Sequence, residues 1–368
     1  MSKTSKTYPF MAALALGVGA AAGGASAHHP TGTSGGGSGP IVTISATTLT
    51  EGESAISFTF ETIQLQALSD DTLIAAAAAH QHVHSLDTIN SYALSYAYGV
   101  TNDLTVSLRL PWVVRTGIRE GHHEHDHDTG EAINKVDNLG DTAGVGDLTL
   151  LGQYRFYNDR GSGIEAALLA GVKAPTGKTD ERTDDGEELF ATEFQPGTGS
   201  WDGLVGLALT KRAGRWSFDA NVLYALAGDG AQDTNLGDRL LYNAAVSYRI
   251  FGPSAEAEPP HTHEGGSHHH HHHDHDQGDD HHSHDESSST AVDLVLELNG
   301  EWNDKTVEGG ETDPNSGGNT VYLSPGVRVS SGDLSGFVSV GIPIVNELNG
   351  IQAEPDWRVV TGVSVSFD

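Results

Sequence analysis

The residues with the most chemistry to offer in this chain are its histidines, and they are not scattered. All 21 fall in four short clusters, at 28–29, 80–84, 122–127 and 261–284. Imidazole suits zinc, copper and nickel, and carboxylates can share the coordination shell. One cluster reads His80-Gln81-His82-Val83-His84. If that segment is helical, His80 and His84 share a face; if extended, His80, His82 and His84 share one. A second reads His122-His123-Glu124-His125-Asp126-His127. The richest holds His261 and His263, then His268, His269, His270, His271, His272 and His273, then His275, and finally His281, His282 and His284. Such a tract cannot build a core, so it is expected to be disordered without metal. The expectation is many exchanging sites for a divalent transition metal, with no cofactor required. Three plainer readings of the same residues stay open: an engineered tag in the run His268–His273, although it is internal and flanked by further His-Asp repeats, solvated polar loops, and pH sensing, since imidazole titrates near 6.5.

Other chemistry is excluded or unsupported. The chain has no cysteine, which removes disulfides, thiolate metal sites and thiol catalysis together. A catalytic histidine would sit beside a serine or carboxylate on a strand or a rigid strand end. No strand expected below carries a histidine, so no catalytic residue is assigned and an enzyme is not expected. With 50 acidic against 19 basic side chains the formal charge is −31. That argues against nucleic acid and anionic headgroups as partners and favours cations.

The elements that must position these clusters are strands. Lys3 and Lys6 precede an apolar stretch from Met11 to Ala22 that leads to Ala25-Ser26-Ala27, the parts of a secretory signal peptide with cleavage near Ala27. Residues 28–50 read as a flexible Gly/His-rich lead. From residue 51 to 368 the chain alternates with period two. Leu104, Val106, Leu108, Leu110, Trp112 and Val114 are apolar, with Thr105, Ser107 and Arg109 between them. Twelve such strands are expected, near 54–66, 87–99, 103–115, 146–157, 163–174, 201–211, 215–227, 239–251, 291–302, 320–330, 334–345 and 356–367. Short turns alternate with long polar loops, and aromatics recur near strand ends, as in bacterial outer-membrane barrels. The fold class expected is all-β: a single antiparallel transmembrane β-barrel of about twelve strands, of outer-membrane type, in contact with outer-membrane lipid. A secreted sandwich would alternate too, but with turns of mixed length at both ends. By strand parity the first two histidine loops lie outside the cell. The insertion at 253–290 interrupts the short-turn side and is expected in the periplasm.

Several motifs carry a family resemblance. Gly144-Val145-Gly146-Asp147-Leu148-Thr149-Leu150 runs into Tyr154-Arg155-Phe156; Ala174-Pro175-Thr176-Gly177 and Gln195-Pro196-Gly197-Thr198-Gly199-Ser200-Trp201-Asp202 follow. Ser324-Pro325-Gly326-Val327-Arg328 and Leu348-Asn349-Gly350-Ile351-Gln352 come near the end. Over roughly 90–368 the chain resembles the bacterial outer-membrane family named for the meta-pathway of phenol degradation. The resemblance implies an outer-membrane barrel and, loosely, transport of organic compounds. The histidine-rich insertions and a final Asp368 behind the terminal aromatic depart from it.

If the apolar set faces lipid, the other set faces a lumen that includes Arg109, Arg155, Glu165, Asp219, Arg249, Asp293, Glu297 and Arg328. Two readings fit: a network of neutralising charges that fills a narrow barrel, or a hydrophilic pore with a mixed-charge constriction. Inward Arg and Glu argue against an apolar path. The expected function is an outer-membrane channel or transporter for small solutes, with histidine loops that bind zinc or related metals. The alternatives are a channel for organic or aromatic compounds, and a non-conducting barrel that buffers metal. There is no phosphate-binding loop and no apparent plug before the barrel, so transport would be passive or coupled through a periplasmic partner.

Overall fold

The computed structural model describes residues 39–125, 132–253 and 290–368. Twelve antiparallel strands close into one barrel: β1 Ser54–Gln66, β2 Thr88–Thr101, β3 Leu104–His125, β4 Leu148–Asp159, β5 Ile164–Ala174, β6 Asp202–Ala213, β7 Trp216–Leu226, β8 Arg239–Phe251, β9 Thr290–Asn303, β10 Gly318–Ser331, β11 Leu334–Leu348 and β12 Glu354–Phe367. Each pairs with its neighbour in sequence, and β1 pairs with β12, with Ser54 opposite Phe367 and Phe58 opposite Val363. Apart from one stretch between β11 and β12, closure leaves no free sheet edge, as a backbone surrounded by lipid requires.

Period two decides which side chain goes where. On β1, Ile56 and Phe58 face out while Ser57, Thr59 and Glu61 are buried. The outer face carries a belt of exposed leucine, valine and isoleucine. Tyr98, Tyr154, Phe156 and Phe251 rim one end of that belt, and Trp112, Trp201, Trp302 and Trp357 rim the other. Exposed apolar area of this extent is stable only against lipid. At the short-turn end, Gly214 and Gly332 sit at φ +58° and +56°, the left-handed conformation that two-residue hairpin turns need. Strand β8 ends and β9 begins at this same end; residues 254–289, read from sequence as a periplasmic insertion, lie outside the described residues.

The long-loop end departs from the sequence expectation in one place. Residues 116–125 and 132–145 are not a polar loop. Strand β3 runs past the barrel to His125 and pairs with a return strand, Ala132–Val145, with His122 opposite Lys135. Histidines therefore do lie on a strand. Backbone ladders are indifferent to side-chain polarity, and nothing in the polar sequence of one strand identifies its partner. Beside this arm a helix, α1 Asp70–Ala78, begins at Ser69, whose hydroxyl accepts the Thr72 N–H at 3.2 Å, as the Ser69-Asp70-Asp71 start and the helix-prone stretch Thr72 to Ala79 lead one to expect. It packs Leu73 and Ala76 around Val83. The arm passes so close that a Cβ on Gly121 would lie 2.2 Å from the Leu73 carbonyl oxygen.

One seam of the wall is incomplete. Strands β11 and β12 pair only as far as Gly341 opposite Arg358, although both continue toward the long-loop end. Pro343 and Pro355 cannot donate to a ladder there. A single side-chain bond bridges the gap, from Asn346 Nδ2 to the Pro355 carbonyl at 3.0 Å.

Candidate functional site

The lumen is occupied by the chain itself. Ile41, Val42, Ile44, Ala46 and Leu49 are buried inside the barrel, ahead of β1. Their amides bond to wall side chains rather than to a ladder. The N–H groups of Ile41, Val42 and Thr43 donate to the Glu297 carboxylate at 3.0–3.1 Å. Ile44 N–H donates to Asn221 Oδ1, Ala46 N–H to Thr210 Oγ1 and Leu49 N–H to Thr105 Oγ1, each at 2.8 Å. Arg328 donates to the Pro40 carbonyl at 2.6 Å, and Gln153 to the carbonyls of Ser45 and Thr47. At Gly326 the approach is so close that a Cβ would meet Ile41 Cδ1 at 2.5 Å. The expectation of a flexible lead over 28–50 with no plug is thus corrected for its described part, 39–50. Residues 28–38 and the signal peptide lie outside the described residues. Pro40-Ile41-Val42-Thr43-Ile44, apolar and β-branched after a glycine-rich run, was the available signal.

The charged residues singled out from sequence face inward and are mostly paired. Arg249 holds Asp293 with two bonds of 2.8 and 3.0 Å. Arg155 meets Glu165 at 3.1 Å and Asp103 at 2.9 Å, and Arg212 reaches the same Glu165. Asp219 accepts from Thr210 and Ser217. Arg109 is buried on the wall, and the Arg328 guanidinium lies 5.2 Å from the Phe337 ring. This is a filled interior, not a charged open pore.

Part of the wall is apolar. Leu151, Ala167, Leu169, Leu204, Ala208, Leu223, Ala225 and Leu241 form an inward stripe across β4–β8, packed on Ile44 and Ala46. Inward Arg and Glu therefore do not exclude an apolar path, because on β4, β5, β7 and β8 the charges Arg155, Glu165, Asp219 and Arg249 sit nearer the short-turn end and the leucines lie beyond them toward the long loops. The leucines sit at inward parity, and alternation alone assigns that face to polar residues.

The long-loop end is capped from within. Phe190 and Phe194, on the loop between β5 and β6, are both 1 % exposed and pack on Ile63, Leu65, Ile89, Val113 and Ile118. Arg115 donates to the Gln195 carbonyl at 3.1 Å and Thr142 to the Phe194 carbonyl at 2.8 Å. The motif Gln195 to Asp202 fixes this loop. Gln195 bonds Glu181 and Phe190, Thr198 donates to Asp147, and Lys173 meets Asp202 at 2.7 Å. Sequence reading found the motif but not the two phenylalanines it positions.

The histidines divide into two groups. His84 is buried with its ring edge-on to Phe194; its Nε2 is 3.5 Å from Glu120 and its Nδ1 3.8 Å from Glu193, while His82 Nδ1 is 3.2 Å from Glu120. His80, at φ +56° past the end of α1, turns instead to the arm. Its ring centroid is 4.4 Å from that of His123, which is 5.1 Å from that of His125. His123 Nδ1 lies 2.6 Å from Asn134 Oδ1, and His122 is exposed. Two clusters far apart in sequence thus meet. Among the described residues, no three histidines or carboxylates are already arranged around a point where a metal ion would fit. His127 and the histidines from 261 to 284 lie outside the described residues.

The carboxylates around His84 are driven in opposite directions. Burial pushes Glu120 up, but hydrogen bonds and charge from His82 and His84 outweigh it and hold the carboxyl well below its usual range. Burial, reinforced by Glu308 and Asp313 and opposed by His84, pushes Glu193 up to about 7. Glu308 and Asp313 are raised too, chiefly by burial.

The model of the family described as "Putative MetA-pathway of phenol degradation" matches residues 88–300, more than half the chain and all of the Gln195–Asp202 motif. The chain belongs to this family. Solved structures similar to this family member include an outer membrane channel from Pseudomonas putida F1, 14 % identical, covering 88 % of this chain and 98 % of that one at a TM-score of 0.48. The P. putida toluene transporter TodX is 9 % identical, covering 87 % and 91 % at 0.37. A Pseudomonas aeruginosa FadL homologue is 6 % identical, covering 86 % and 90 % at 0.36. No curated protein matches the chain.

Proposed function

We propose that this chain is an outer-membrane channel for small apolar or aromatic organic compounds, closed at rest by its own N-terminal segment. The observation that carries the reading is the inward stripe of Leu151, Leu169, Leu204, Leu223 and Leu241. A water-filled pore gains nothing from five inward leucines, whereas an apolar solute passing along them stays out of water at about 25 cal/mol per Å². The incomplete β11–β12 seam supports it, as an opening from the upper lumen toward lipid. The family's description names phenol degradation, which fits the same solute class. Outer-membrane residence follows from the closed barrel, its lipid belt and the short-turn, long-loop asymmetry.

The test is uptake by proteoliposomes of toluene and of a hydrophilic sugar, beside ion current in planar bilayers. Wild-type protein is expected to admit toluene and to carry little current. Deleting residues 40–50 should raise the current several-fold, and Leu223→Asn should slow toluene without changing the current. Toluene uptake indifferent to both changes would sink the reading.

A second reading, metal binding by the histidine loops, is favoured by the meeting of His80, His123 and His125. Zinc held there and by the 261–284 histidines would tether loop to arm, or be buffered at the two ends of the barrel. Calorimetric zinc titration should show stoichiometry falling when 254–289 is deleted, and falling further when His80, His123 and His125 become alanine. Zinc uptake unchanged by both would remove this reading.

A further inference from the structure

Below the Phe190–Phe194 cap, against β8–β12, lies a cavity of ≈ 70 Å³. By that measure it has room for about five waters, roughly the space one substituted benzene ring takes. Much of its wall is apolar: Ile63, Leu236, Leu348, Ala353 and Pro355. Among its polar groups Tyr322 is distinctive. The residue is 4 % exposed, and its hydroxyl has no hydrogen-bond partner among the described residues. A buried hydroxyl left without a partner is costly, and native structures seldom keep one without reason. Nor can this ring easily turn to find one. The Arg358 guanidinium lies 4.3 Å from its centroid, and a Cβ at Gly341 would come within 3.2 Å of its Cδ1.

The charges at the cavity narrow the ligand further. Glu193, Asp202, Glu301 and Asp304 line it, against Arg115, Lys173 and Arg239. Lys173 is taken by Asp202 at 2.7 Å, and Arg115 donates to the loop carbonyls. Carboxylates outnumber cations, so the surroundings do not favour an anionic head group. A neutral hydroxyl suits Tyr322, which can both donate and accept.

We infer that this cavity binds an uncharged single-ring organic molecule bearing one hydroxyl, with the Tyr322 hydroxyl as its hydrogen-bond partner, and discriminates against carboxylate analogues. The inference rests on the channel reading above and adds to it a site, a head group and a residue that selects it.

The experiment compares benzyl alcohol, toluene and benzoate on the full chain in nanodiscs, by ligand-observed NMR with empty nanodiscs subtracted. Benzyl alcohol is expected to bind about five- to tenfold more tightly than toluene, the worth of one added hydrogen bond. Benzoate should bind no better than toluene. Tyr322→Phe keeps the ring and its packing, so it should abolish the preference for the alcohol and leave toluene binding as it was. A preference that survives Tyr322→Phe, or benzoate binding as well as benzyl alcohol, overturns the inference. Toluene uptake by proteoliposomes is measured on the wild-type protein. If wild type passes toluene but shows no preference for the alcohol, only the site assignment falls; if toluene neither passes nor binds, the channel reading falls with it.

Discussion

Glu193 sits where the capping loop meets the histidines, with Arg115, His84, Glu308 and Asp313 all acting on it. Its carboxyl ionises near 7 in the closed loop, against an ordinary value of 4.5. A raised carboxyl binds its proton more tightly in the buried state. Its stabilising effect on closure is therefore complete below pH 4.5 and is lost as the pH climbs through 7. Glu120 acts in the opposite sense: its depressed carboxyl supports the arrangement above its ordinary value of 4.5, and that support fades as acid protonates it. Between pH 5 and pH 8 Glu193 dominates, and a shift of this size is worth roughly a hundredfold in the closed-to-open ratio. Limited proteolysis of the 175–200 loop should accordingly run faster at pH 8 than at pH 5. Glu193→Gln, neutral throughout, should hold the loop closed at both pH values. A cleavage ratio between the two pH values that is the same in wild type and variant would contradict this account. At this scale the sequence displayed the histidines by type and spacing. It could not display Glu193 as their neighbour, because more than a hundred positions separate it from His84 and only the loop's inward fold brings them together.

Among the elements, the decisive one is the segment from Pro40 to Leu49. Burying Ile41, Ile44 and Leu49 supplies on the order of 1.5–3 kcal/mol each. The segment makes no ladder of its own with the wall, so its amides depend on side chains, and Glu297 alone accepts three of them. Glu297→Ala should leave the barrel intact, since the ladder around β9 is backbone, yet loosen the segment. Single-channel recordings are expected to show intermittent openings that wild type lacks, approaching the current of the 40–50 deletion. Recordings indistinguishable from wild type, while the deletion opens the lumen, would mean that Glu297 is not what holds the segment. The strands themselves were legible residue by residue, because lipid outside and a packed interior inside impose alternation on every one of them. The arm of 116–145 was not, since two polar strands paired beyond the membrane obey no such rule.

For the whole molecule, what the sequence determined by itself is what one-dimensional pattern can encode. Alternation, turn residues and aromatic spacing specify a closed barrel of twelve antiparallel strands, and the motifs from Gly144 to Asp202 specify the family. The inward parity of Arg249, Asp293, Glu297 and Arg328 belongs to that same pattern. What only the tertiary structure decided is how the interior is filled. That the leucines of β4–β8 gather in one sector, that Ile44 and Phe194 close the lumen from opposite ends, and that His80 turns to His123 depend on contacts between distant segments. Local sequence records the face a residue takes on its own strand. Which other chain segment arrives at that face is settled by packing and by the need of each buried polar group for a partner, and both are properties of the closed barrel as a whole.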